Sequence, residues 1–94
     1  MTTTAPDILI AAADAITNRA DQRDSADGER SMARTVATFN ALTGCTLSER
    51  DGWIFMTVVK LARSQQGRHV IDDYTDGAAF MALAGESLGS EAKS

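Results

Sequence analysis

The chain has one proline, one cysteine, one histidine, one tryptophan and one tyrosine. Each scarcity excludes something. Pro6 stands near the start, so nothing breaks a helix further along. Cys45 alone rules out an intrachain disulfide and fits a reducing compartment. It lies in a turn with no matching histidine-plus-acid signature, so no thiol nucleophile is expected. With His69 as the sole histidine, one chain cannot build a histidine-based metal site. No apolar run approaches the roughly 20 residues of a transmembrane helix. Gly28 and Gly44 are isolated, so there is no glycine-rich phosphate loop. Cations are also outnumbered: 9 Lys and Arg against 13 Asp and Glu give a net charge of −4. That argues against a general binder of nucleic acid or anionic membrane, which needs clustered cations. A nucleotide pocket, needing only two or three cations, stays open.

What is present reads as helix. Alanine is abundant and β-branched runs are short, which predicts an all-α domain, bundle-like, spanning 1–94 as one unit. A chain of 94 residues buries a modest share of its surface, so a homo-oligomer is expected. The segment from Met1 to Asp7 lacks a basic start, so a cytoplasmic protein with no membrane contact is the expectation. Four helices are predicted. The first spans about Ala5 to Ala20, capped by Thr4, with Leu9, Ala12, Ala13, Ile16 and Ala20 as its apolar stripe. Residues 21–28 are polar, without periodicity, and read as a loop. The second helix spans about Glu29 to Thr43 and ends at Gly44 in the left-handed conformation. The third begins at the capping-box pattern Thr46-Leu47-Ser48-Glu49 and runs to about Gln65, with Gly67 ending it. Gly52 in its second turn costs about 1 kcal/mol of helix propensity relative to alanine, which suggests a packing reason. The fourth spans about Val70 to Leu88, with Val70, Tyr74, Gly77, Met81, Ala84 and Leu88 on one side, and should be central. Residues 89–94 read as a frayed, disordered tail.

Two polar motifs interrupt this apolar background. Lys60 and Arg63 sit one turn apart, on a stripe with Trp53 and Met56. Asp73 and Asp76 project from one face of the next helix, with Asp72 beside them. Carboxylates this close need a cation between them. One candidate is Mg2+, a hard ion that accepts one or two carboxylates and keeps waters for a phosphate. The other is the Lys60/Arg63 pair, which an antiparallel hairpin brings level with Asp73 and Asp76 as an interhelical salt-bridge cluster. Glu29 reads either as a helix-start carboxylate or as a third acid, a metal ligand or general base. Arg19, Arg23, Arg30 and Arg34 flank the polar loop. They form a phosphate-binding rim or, with the interspersed acids, a solvated mixed-charge surface. Trp53 either stacks on a base or belongs to the core.

Several stretches resemble a family of small phage and prophage proteins of unknown function. These are Arg19 to Asp24, Gly28 to Met32, Phe39 to Gly44, Asp51-Gly52-Trp53 with Phe55-Met56, Lys60 to Arg63, and Asp72 to Phe80 followed by Ala82 to Glu86. The likeness covers about residues 8 to 86. That family looks distantly like the MazG-type all-α nucleoside triphosphate pyrophosphohydrolases. The resemblance implies a helical bundle, usually dimeric or tetrameric, holding Mg2+ with acidic pairs on two helices and cleaving nucleotides between the α- and β-phosphates. Asp73 and Asp76 match the last acidic pair. The preceding helix departs from the pattern: where it should carry Glu-x-x-Glu it carries Met56, Lys60 and Arg63, leaving Glu29 as the one obvious substitute.

The expectation is therefore a phage-encoded helical protein that binds or hydrolyses a nucleotide or signalling nucleotide. Asp73 and Asp76 would serve as metal ligands, Glu29 as the catalytic acid or base, and Lys60, Arg63, Trp53 and Arg30 as substrate contacts. The alternative is an anti-defence protein that inhibits a host defence complex by direct binding or sequesters its messenger.

Overall fold

The computed structural model describes residues 3–23 and 31–92. These form four helices: α1 (Ala5–Arg23), α2 (Ser31–Thr43), α3 (Glu49–Ser64) and α4 (Ile71–Ala92). Among the described residues all regular structure is helical.

The ends of these helices follow from local chemistry. At α1 the Thr4 hydroxyl accepts from the Asp7 N–H at 3.3 Å, and the Asp7 carboxylate accepts from the Thr4 N–H at 3.1 Å. That reciprocal pair satisfies two of the orphan donors of a helix start. α1 continues to Arg23, past the predicted end at Ala20. Gly44 follows α2 with φ of 78° and donates to Asn40 O at 2.8 Å, and Gly67 follows α3 with φ of 60°. Both adopt the left-handed conformation that glycine tolerates.

The start of α3 differs from the expectation. Ser48, not Thr46, is the N-cap, and Asp51 closes the box with it. Asn40 explains the shift. Its side chain accepts from the Leu47 N–H at 3.0 Å and donates to the Leu47 carbonyl at 2.9 Å. Leu47 is thereby held outside the helix, and the first helical turn opens after it. α4 runs to Ala92, beyond the predicted end at Leu88, so the segment expected to fray begins inside the helix.

α3 and α4 form an antiparallel hairpin: Trp53 meets Phe80, Lys60 meets Asp76 and Arg63 meets Asp73, in falling and rising order. α1 packs on α4, and α2 on α3. Trp53, Phe80 and Ala84 make the core, with Met32, Ile54, Met56 and Leu83 against it. α2 approaches α3 at Gly52, where an added Cβ would overlap the Met32 sulphur and stand 2.8 Å from Val36 Cγ2. The glycine in mid-helix thus has its packing reason.

Two predicted stripes are displaced. On α1, Leu9 is exposed while Ala12 is buried and Ile8, Ala15 and Ile16 are half-buried, so the packed face is rotated by about one residue from the expected one. On α4, Ala84 is buried but Tyr74, Met81 and Leu88 face solvent. The buried side of α4 runs instead through Asp73, Phe80, Ala84 and Ser87.

Candidate functional site

The hairpin charges close on one another. Lys60 Nζ lies 3.1 Å from Asp76 Oδ2, with both side chains largely covered. One turn further, Arg63 Nε lies 3.6 Å from Asp73 Oδ1. Here the carboxylate is buried and the guanidinium is exposed. Ion pairing across the hairpin is the arrangement that keeps a buried carboxylate from standing uncompensated in low dielectric.

Beside this ladder lies a crevice of about 330 Å³ between all four helices. Trp53 and Phe80 stack at 5.8 Å between ring centroids with 23° between planes, and both line it. Met32, Met56 and Leu83 complete the apolar wall, and Ser31, Thr35 and Asp76 supply polar atoms. The indole N–H of Trp53 donates to Glu49 Oε2 at 3.2 Å, which fixes the ring. An apolar recess with a few convergent polar groups, of a size for a small ligand, is the usual form of a small-molecule site.

The predicted site residues divide accordingly. Trp53 and Asp76 line the crevice, and Lys60 is bound to Asp76 at its edge. Arg63 and Asp73 lie one turn outward along the same two helices. Glu29 and Arg30 lie outside the described residues. The carboxylates of Asp73 and Asp76 are each engaged by a cation, and among the described residues no group of three metal-ligating side chains converges. A Mg2+ held here would take at most these one or two carboxylates and complete its octahedral shell with water and a ligand's phosphates.

Sequence reading missed Phe80 as the ring stacked on Trp53, and it missed Ser31 and Thr35. The pair Glu49 and Trp53, four residues apart on one helix, was a signal for the indole hydrogen bond.

A family model matches residues 7–88, nearly the whole chain. The chain belongs to the DUF6378 family, a domain of unknown function. No curated protein and no solved structure matches it. None of these comparisons links the DUF6378 domain to phage proteins or to MazG-type enzymes. Among the described residues no helix is long and apolar enough to cross a membrane.

Proposed function

We propose that this DUF6378 domain binds a nucleotide, with the base in the crevice and the phosphates along Lys60 and Arg63, on a scaffold akin to the MazG-type bundle. One observation carries the reading. A single stripe of α3 runs from the aromatic floor at Trp53, past Met56 at the crevice wall, to Lys60 at its edge and Arg63 in solvent. A planar base gains from an aromatic and thioether surface, and arginine and lysine suit phosphate oxygens. Asp76 would accept from an exocyclic amine while Lys60 keeps its charge compensated.

Binding, not hydrolysis, is the activity this reading favours, since Asp73 and Asp76 are each paired with a cation. Mg2+ enters it as the counter-ion of the bound phosphates. In a phage setting the same binding would sequester a host signalling nucleotide. The alternative, inhibition of a host defence protein by direct docking, draws on the exposed apolar side of the hairpin.

Isothermal titration with a panel of nucleoside triphosphates and cyclic nucleotides, with and without Mg2+, tests the proposal while pyrophosphate release is followed. Saturable binding without release is expected. Arg63→Ala, at an exposed position, should weaken a triphosphate about tenfold, the loss of roughly 1.4 kcal/mol, and leave the nucleoside unchanged. Release of pyrophosphate would make the protein an enzyme, and no binding by any nucleotide would refute the reading in favour of a protein partner.

A further inference from the structure

Glu49 is the first residue of α3 and is half-buried. It is not among the described residues that line the crevice. Its carboxylate nevertheless accepts the indole N–H of Trp53, which does line it, at 3.2 Å. Trp53 is 6% exposed, so that N–H is a buried donor in need of a partner. The side chains packed around the ring offer no strong one. Phe80, Ala84, Ile54 and Leu83 have no acceptor, and the sulphurs of Met32 and Met56 are weak ones.

The bond has a directional consequence. The torsion that turns an indole about its stem is broad and roughly two-fold. Stacking on Phe80, at 5.8 Å and 23°, sets the plane of the ring but not which edge carries the nitrogen. Glu49 sets the edge by drawing the N–H to the first turn of α3. A ligand then meets the ring's π surface and carbon edge, the donor being already spent.

An acid at this position also complements the positive end of the helix. That role needs only a charge, and Asp51 supplies one in the same turn. The contact with the indole is what Glu49 adds. We propose that Glu49 is a positioning residue of the crevice, which acts on a bound base through Trp53 by holding the indole in its stacking orientation. This role rests on the nucleotide reading of the crevice and names the residue that orders its stacking face.

The native chain, Glu49→Ala and Glu49→Gln together test it. The amide oxygen of glutamine still accepts the indole N–H but brings no charge to the helix start. Trp53 is the sole tryptophan, so one indole N–H resonance can be followed by NMR, and titration gives the affinities for adenosine and ATP. Glu49→Ala should speed indole hydrogen exchange about tenfold and weaken adenosine and ATP by a common factor of about five. Glu49→Gln should stay within about twofold of the native chain in both readouts, although the lost charge lowers its Tm. Glutamine behaving as alanine would assign Glu49 to the helix start and overturn the positioning role. So would native exchange or native affinities in Glu49→Ala, and either result would leave the nucleotide reading standing. A native chain that binds neither adenosine nor ATP would refute that reading, and the positioning role with it.

Discussion

Gly52→Ala is the substitution on which two physical effects compete most directly. Helix propensity favours alanine by about 1 kcal/mol. Packing opposes it: the new methyl would overlap the Met32 sulphur and sit 2.8 Å from Val36 Cγ2, with Met32 Cγ at 3.0 Å. The Met32 thioether can rotate aside because it is flexible. Val36 cannot, being β-branched and buried in the α2–α3 contact. Overpacking of this kind costs about 2–3 kcal/mol. The net is a loss of about 1–2 kcal/mol, which for a domain of this size lowers Tm by roughly 5–15 °C. Thermal unfolding followed by circular dichroism at fixed protein concentration reads it. Combining Gly52→Ala with Met32→Ala should recover part of the loss, with a coupling of at least about 0.5 kcal/mol in a double-mutant cycle. A Tm equal to or above that of the native chain would refute the packing argument and leave propensity in control.

Other outcomes follow from the same contacts. Asp76→Ala strands the largely covered Lys60 ammonium and should cost about 1–2 kcal/mol, whereas Lys60→Met with Asp76→Leu should cost less, as denaturant titration would show. If Asp76→Ala lowers Tm but leaves nucleotide affinity unchanged, the hairpin charges are structural only. Asn40→Ala removes both hydrogen bonds that hold Leu47 and should cost about 1–2 kcal/mol, seen as a lower urea midpoint at unchanged slope. The Asp51 carboxyl is held below its ordinary value of 3.8 by the Ser48 backbone N–H, with smaller help from the Ser48 side chain and the Arg50 charge. A carboxylate depressed on folding stabilises above its unfolded value and loses that stabilisation as the pH falls through the folded one. The stability difference between the native chain and Asp51→Ala should accordingly be constant from pH 7 to 5 and shrink below pH 3.8.

The helix order was legible in the sequence because capping residues and glycines are local signals. Thr4 with Asp7, Gly44 and Gly67 each act within a few residues of themselves. The start of α3 was misplaced because a distant side chain, Asn40, decides it, and no local pattern carries that information. The charge cluster of Lys60, Arg63, Asp73 and Asp76 was also legible, since helical spacing and a short connection bring those levels together, but not its pairing of Lys60 with Asp76 and Arg63 with Asp73. The faces of α1 and α4 were not. Hydrophobic periodicity says that Leu9, Tyr74, Met81 and Leu88 are apolar, but not whether their own chain covers them. The crevice was half visible: Trp53 and Asp76 stood out as unusual residues, while Phe80, Ser31 and Thr35 are ordinary ones that only the helix packing brings to the same recess.

The central claim is that the crevice beside Trp53 and Phe80 holds a nucleotide base. Trp53 is the sole tryptophan, so its emission reports on that wall alone. Titrating the native protein with a nucleoside triphosphate in the presence of Mg2+ should shift the emission wavelength along a saturable curve, and Lys60→Met should move the midpoint at least tenfold upward. An emission spectrum that stays unchanged to millimolar nucleotide, across purine and pyrimidine triphosphates and cyclic nucleotides, would contradict the account.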